Sequence, residues 1–357
     1  MPKPPLDPMP LPPRLQRGRV TIHDVAKAAG VSISTVSKAL NKGTRISDAM
    51  RERVSAVARD MGFRPNDLAQ ALHRGQSMTV GLVSNDNFGR FTMPILEGLE
   101  SVLMEQGMAV FMCNATDSPD REARHLEQLM GKQVDGLVFT ARRADHRPFT
   151  SVVLGDLPTI YVFSRGPDEN ALCLLPDDEG GAHLATQTLI ASGRKRIVHV
   201  TGPQDFEAVA LRQAGYAGAL AEAGLQAAPV LYGTWSEAWG RAAVSLLFAD
   251  PTTAPDGIFA GNDLIARGIL DGLRDRGIDV PRQVGVVGFD NWTIMAEPAR
   301  PPLTSIDMNL VALGQEAGRR IIRMIAGERF SGIERLPCSL VQRDSCGPYM
   351  LTPSQTG

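Results

Sequence analysis

The rhythm of apolar and polar residues changes near residue 78 of this 357-residue chain. Before that point apolar side chains recur every three or four positions, the period of short amphipathic helices. Val25, Ala26 and Ala29 predict a helix from Ile22 to about Ala29 with Thr21 as its cap. Gly30 supplies a tight turn, because glycine enters left-handed backbone space without a steric penalty. Ser32 can cap a second helix, about 33–40, with Val36 and Leu40 turned inward. A third, about 48–61, has a start signal at Ser47 and apolar positions at Met50, Val54, Val57 and Met61. Each is too short to persist alone, so the three must share one small core.

Beyond residue 78 short apolar runs alternate with longer amphipathic segments. The expected strands are TVGLV, AVFMC, DGLVF, TIYVF, ALCLL, RIVHVTG, a segment near PVLYG, DGIFA and VGVVGFD. Helices are expected at 93–106, 120–131, 179–192, 208–223, 236–248 and 262–276. Repeated strand–helix units imply parallel sheets covered on both faces. A break near Pro176–Gly180 divides them into two similar runs, hence two lobes. The predicted fold is an N-terminal all-α helix-turn-helix domain followed by an α/β body of two lobes with parallel sheets.

Composition adds one decisive fact. Residues 1–77 hold 13 Lys+Arg against 6 Asp+Glu, and the remainder holds 24 against 33. The overall formal charge of −2 therefore conceals a basic head on an acidic body, the distribution that nucleic acid selects. The outward face of the second helix carries Ser34, Thr35, Ser37 and Lys38, hydroxyls and a cation suited to base edges and phosphates. A helical bundle with another purpose has the same core pattern but no use for that charge. No apolar stretch approaches twenty residues and no signal-peptide pattern is present, so a cytoplasmic protein without membrane contact is expected. The four cysteines lack metal-knuckle spacing and read as buried small hydrophobes.

Parallel sheets present ligands to the residues just after their strands. Asp290 follows VGVVGF, Asn262 and Asp263 follow GIFAG, Trp235 follows 230–233, Arg212 lies past VHVTG, and Asp86 follows TVGLV. Carboxylate, amide and guanidinium groups around an indole suit a carbohydrate: the polar groups take hydroxyls and the ring covers an apolar sugar face. Each also has a plainer reading. Asn262 or Asp263 can cap a helix, Trp235 can anchor a core, and Asp290 and Arg212 can form structural ion pairs. TARRADHRP can bring Arg142 or Arg143 to the cleft rim, with solvated surface the plainer reading, and His183 with Glu179 reads as an incidental surface pair. No nucleophile–base pattern, histidine cluster or phosphate-binding loop is present, so neither an enzyme nor a cofactor or metal is expected.

The stretches VTIHDVAKAAGVSISTVSKALN and ISDAMRERVSAVARDMGFRPNDLAQALHRGQS resemble the LacI/GalR family of transcription regulators, and the resemblance extends over about residues 19–346. The proline-rich stretch 1–18 reads as a disordered arm and 347–357 as a flexible tail; the resemblance implies a DNA-binding domain at 19–64 and a hinge helix and linker at 65–77. The effector-binding and dimerisation body, 78–346, would be periplasmic-binding-protein-like. Its first lobe would span about 78–175 and 308–336, its second about 176–307 and 337–346. By the same likeness Leu72 wedges between central base pairs and Ala69 lies on the minor-groove floor; the plainer reading makes Leu72 an ordinary linker residue. Candidate DNA contacts are Thr21, Ser32, Ser34, Thr35, Ser37, Lys38, Asn41, Arg51, Asn66, Ala69 and Leu72. Candidate effector contacts are Asp86, Phe91, Phe163, Arg212, Trp235, Asn262 and Asp290. The implied partners are a pseudo-palindromic operator duplex, a second copy of the chain as homodimer, and a small effector, a mono- or disaccharide. A repressor of carbohydrate uptake or catabolism genes is the leading expectation. A corepressor-dependent or activating regulator, and a sugar-binding protein or enzyme with a basic head, are the rivals. The long Pro/Arg-rich arm departs from the family pattern.

Overall fold

The computed structural model describes residues 20–40, 46–63, 75–87, 89–116, 118–145 and 152–347. It comprises two compact units, Met1–Ser77 and Met78–Gly357.

The first unit holds three helices, α1 (Ile22–Ala29), α2 (Ile33–Leu40) and α3 (Asp48–Asp60). Thr21 and Asp24 form a reciprocal capping box at the start of α1. Gly30, at φ 64°, ends it, with the Val31 N–H returning to the Ala26 carbonyl at 3.0 Å. Val25, Ala26, Ala29, Val36, Ala39, Val54 and Ala58 make the buried core. Two arginines of α3 complete the other helices. Arg53 donates to the Ala29 carbonyl at 2.9 Å and Arg51 to the Ala39 carbonyl at 3.2 Å. Both cations therefore sit at helix C-termini, where the peptide dipoles favour positive charge.

The second unit contains two six-stranded sheets. The first has the order β11-β5-β4-β3-β1-β2, from β1 (Thr79–Ser84), β2 (Ala109–Asn114), β3 (Gly136–Thr140), β4 (Thr159–Val162), β5 (Leu172–Pro176) and β11 (Gly332–Leu336). The second has the order β12-β10-β9-β8-β6-β7, from β6 (Ile197–Thr201), β7 (Leu231–Tyr232), β8 (Gly257–Ala260), β9 (Gly285–Asp290), β10 (Thr304–Asp307) and β12 (Ser339–Val341). Every pairing is parallel except β12 on β10. The inner strands are fully buried, as continuous apolar runs in a sheet covered on both faces must be. The covering helices are α4 (Thr92–Glu105), α5 (Pro119–Gly131), α6 (Asp178–Ala191), α7 (Glu207–Glu222), α8 (Glu237–Leu247), α9 (Asp263–Asp275), the short α10 (Thr293–Ala296) and α11 (Leu310–Ile325).

Three crossings join the sheets, and they are tied to one another. After β5, the Asp177 N–H donates to the Leu336 carbonyl at 2.8 Å. After β10, Asn309 adopts φ 53°, donates its amide to the Pro337 carbonyl at 2.9 Å and accepts from the Ser339 hydroxyl at 3.0 Å.

Candidate functional site

In the helical unit, the Ser32 hydroxyl accepts the Thr35 N–H at 3.1 Å and shares a hydrogen bond with the Thr35 hydroxyl at 2.9 Å. Ser32 therefore caps α2, and Thr35 is held in place by it. Ser34 and Lys38 are exposed, whereas Thr35 and Ser37 are half-buried. Thr21 is engaged in its capping box and Arg51 in the end of α2, so both act first on the fold of the head. Asn41, Asn66, Ala69 and Leu72 lie outside the described residues.

In the larger unit a cavity of about 150 Å³ lies between the lobes, at the carboxyl ends of both sheets. Six of the seven expected effector residues line it: Phe91, Phe163, Arg212, Trp235, Asn262 and Asp290. Asp86 does not. Its carboxylate is buried and accepts the N–H groups of Phe91 at 2.8 Å and Thr92 at 3.1 Å. Helix α4 begins at Phe91 without a side-chain cap of its own, so Asp86 supplies one from the preceding loop. That cap holds Phe91 against Phe163, with ring centroids 4.5 Å apart.

Arg212 is the polar centre of the second-lobe wall. It bonds Asp178 at 2.7–2.8 Å and the Gly261 carbonyl at 2.5 Å, approaches Asp290 at 3.7 Å and lies 3.7 Å over the Phe289 ring. Asn262 spends its carbonyl on the Ile265 N–H at 2.9 Å, capping α9, so its amide nitrogen is the group it can offer the cavity. Asp263, next along, accepts from the Ser305 hydroxyl and the Trp292 N–H, both at 2.6 Å. Burial, reinforced by repulsion from Asp290, pushes its carboxyl up to about 7. Burial likewise raises Asp290 and Asp178, even with guanidinium groups beside them. Trp235 reaches the cavity because residue 202 is glycine: a Cβ there would stand 2.2 Å from the indole.

The backbone is strained at the same place. Phe163 at φ 50° and Asp290 at φ 102° are non-glycine residues in the left-handed half of conformational space. Such positions cost about 1–3 kcal/mol each and persist where the surroundings over-determine them.

Several cleft residues carry no sequence signal beyond their place after a strand. Arg90, in the loop before α4, pairs across the cleft with Asp290, and its guanidinium lies 4.4 Å over Trp292. Arg142 and Arg143, for which solvated surface was the plainer reading, both line the cavity. Arg143 bonds Asp145 at 2.6 Å, reaches Asp205 of the other lobe at 3.0 Å and covers the Phe206 ring at 3.6 Å. Glu207 receives Arg165 and, at 3.1 Å, Arg335, both from the first lobe. Arg335 comes from β11, more than a hundred residues downstream, and only the return of the chain to the first sheet makes it a neighbour. The first-lobe wall therefore presents Arg90, Arg142, Arg143 and Arg335 against Asp145, and the second presents Asp178, Glu207 and Asp290 against Arg212. Opposite charge draws the walls together at close, partly dehydrated range. His183 corrects another expectation: its partner is Glu222 at 2.9 Å, not Glu179.

A helix-turn-helix head and a two-lobed α/β sensor with a cleft at its strand ends define a ligand-responsive DNA-binding protein. Residues 21–66 match the model of bacterial regulatory proteins of the lacI family, and residues 186–346 a periplasmic binding protein-like domain. The chain is 30% identical to catabolite control protein A of Priestia megaterium, covering 91% of this chain and 99% of that one. It is 33% identical to the ribose operon repressor of Escherichia coli K12, covering 83% and 90%. Among solved structures, the lac repressor dimer bound to operator and the anti-inducer ONPF superposes with TM-score 0.73 at 25% identity, covering 92% and 100%. The CelR–cellobiose complex gives TM-score 0.60 at 31% identity, covering 92% and 100%. The chain belongs to the LacI family of transcriptional regulators and is a DNA-binding regulator rather than an enzyme. Among the described residues no helix is long and apolar enough to cross a membrane.

Proposed function

We propose that this regulator is a repressor of carbohydrate uptake or catabolism genes, released from its operator when a small sugar fills the inter-lobe cavity. The observation that carries this reading is the meeting of Trp235 with Arg212, Asn262 and Asp290 in one cavity. An indole face with an amide, a carboxylate and a guanidinium is the equipment that binds ring hydroxyls and an apolar sugar face. A relative named for the ribose operon and one solved in complex with cellobiose support the same ligand class.

Two heads on a homodimer would read the two halves of a pseudo-palindromic operator. Support for a seam between copies comes from Met93 and Met104 on α4 and Phe111 on the edge strand β2, all 45–72% exposed. Ser34 and Thr35 suit base edges and Lys38 phosphate. The effector changes operator affinity only through its different affinities for the lobe arrangements, so the same coupling in the opposite sense makes it a corepressor. The two aromatic pairs facing the cavity, Phe91–Phe163 and Phe206–Trp235, favour a second reading in which the effector is a nucleobase or nucleoside.

The test is selection of genomic duplexes by the full-length protein, followed by titration of sugars and nucleosides into the complex. Specific capture, reversed by a sugar, is expected; reversal by a nucleoside alone selects the second reading. Binding to all duplexes alike rejects the regulatory mechanism. Leu72→Ala is expected to weaken specific capture while effector binding is kept.

A further inference from the structure

Asn291 stands between the cleft and the connections of the two lobes. It directly follows Asp290, the last residue of β9, and both have positive φ, 102° for Asp290 and 49° for Asn291. Asparagine tolerates the left-handed region better than most side chains, but two such residues in succession need outside support. The Asn291 backbone N–H donates to the Ser305 hydroxyl at 3.1 Å. Its side-chain nitrogen donates to the Asp307 carboxylate at 2.9 Å, and its side-chain oxygen accepts from the Arg343 guanidinium at 2.8 Å. Only one orientation of the amide serves both partners, because its oxygen must meet the cation and its nitrogen the anion.

Those partners lead directly into the crossings. Asp307 closes β10, and its other carboxylate oxygen accepts the N–H of Asn309 at 2.7 Å. Asn309 is itself bonded to Pro337 and Ser339, in the crossing between β11 and β12. Arg343, just beyond β12, also donates to the Leu303 carbonyl at 2.8 Å, before β10 begins. One amide therefore joins the chain entering one crossing to the chain leaving another. The crossings are the covalent links between the lobes, so a change in the angle between the lobes is absorbed in their backbone. Asp290, adjacent to that amide, meets Arg90 of the first lobe and Arg212 of the second.

We infer that Asn291 is a positioning residue of the sensor: its amide fixes Asp290 relative to two of the three crossings, so that a change of partner at Asp290 reaches Asn309 through Asp307. This rests on the reading of Asp290 as an effector contact. If the amide merely held its own loop, the crossings would respond to Asp290 equally with or without it.

The experiment is amide hydrogen exchange, read by mass spectrometry, on the full-length protein with no ligand added. Wild type, Asp290→Asn, Asn291→Gly and the double variant form a cycle. The first substitution removes the charge that the two guanidinium groups meet while keeping the shape. The second removes the amide while still permitting positive φ. Peptides over 308–312 and 337–342 report the crossings. Their rates are taken relative to a peptide over β8, which carries any general change in stability. Asp290→Asn is expected to speed exchange at the crossings about fivefold when Asn291 is present, the scale of one weakened hydrogen bond, and less than twofold when residue 291 is glycine. Asn291→Asp sets a carboxylate against Asp307 in place of the donor, so it is expected to break the transmission as glycine does. The inference is overturned by equal relative rates in all four proteins, by the same response to Asp290→Asn with and without the amide, or by a response preserved in Asn291→Asp. No sugar enters the measurement, so its failure leaves the sugar reading standing, and a failed sugar titration leaves the exchange result as it is.

Discussion

Asp145 of the first lobe accepts the backbone N–H of Glu207 of the second at 2.6 Å. Glu207 is the first residue of α7, whose N-cap position is Phe206, a side chain that cannot cap. The helix is thus completed by a carboxylate from across the cleft, and closure of the lobes is what supplies it. Arg143 holds that carboxylate in place. Together with the Glu207 N–H it outweighs the effect of burial and keeps Asp145 below the usual carboxylate range.

Asp145→Ala removes this cap only from the closed state. A lost N-cap is worth roughly 1 kcal/mol, so effector affinity is expected to fall about fivefold. Operator binding without effector should change little. Titration calorimetry measures the first effect and gel shift the second; unchanged effector affinity would mean that closure does not depend on this bond.

Asp290 sits between Arg90 and Arg212. Asp290→Ala leaves two guanidinium groups in the cleft without that carboxylate, and breaking a buried pair from one side costs on the order of 3 kcal/mol. The expected outcome is a lower melting temperature of the ligand-free protein, with effector response lost and specific duplex binding retained. A variant as stable as the wild type would show that the pair is water-separated in solution.

The head separates structural from DNA-facing cations. Arg53→Ala removes the bond to the Ala29 carbonyl and is expected to destabilise the helical unit by about 1 kcal/mol, seen as faster amide exchange in α1 and α3. Lys38→Ala, on an exposed position of α2, should leave exchange unaltered. It should reduce the salt dependence of duplex binding by about one unit of slope. Equal effects of the two substitutions on both measurements would contradict the division.

His199 lies buried on β6, its ring 4.4 Å from that of Phe259 and its Nδ1 3.0 Å from the Phe259 carbonyl. Burial lowers its pKa from 6.5 to about 3, with the nearby Arg212 charge acting in the same direction. The unfolded chain binds this proton more readily, so the histidine lowers stability as pH falls from about 6.5 towards 3 and has no effect above that window. His199→Phe is expected to flatten the stability profile in that window by a few kcal/mol at most. Denaturant melts at pH 7 and 4.5 measure the difference, and an unchanged slope would place the imidazole in contact with water.

The ends of α1 and α2 were legible from their spacing and caps, because Thr21, Gly30 and Ser32 act within a few residues of themselves. The apolar runs of the body were equally legible, since a strand buried on both faces is apolar along most of its length, with His199 within β6 an exception. Six effector candidates gather in one cavity for a related reason: a parallel sheet puts the residues after its strands on one rim. Asp86 occupies an equivalent sequence position yet caps α4, because nothing local says whether a carboxylate faces a cleft or a bare helix end.

What the sequence determined by itself was therefore local and periodic: the helices, the strands, the basic head and the polar residues after each strand. What the tertiary structure alone decided was which charges oppose which. Arg90 finds Asp290, Arg143 finds Asp205, and Arg165 and Arg335 find Glu207, over separations of 42 to 200 residues. No periodicity records such pairs, because they form only when two independently packed sheets close on each other, and that closure depends on how the connecting strands cross.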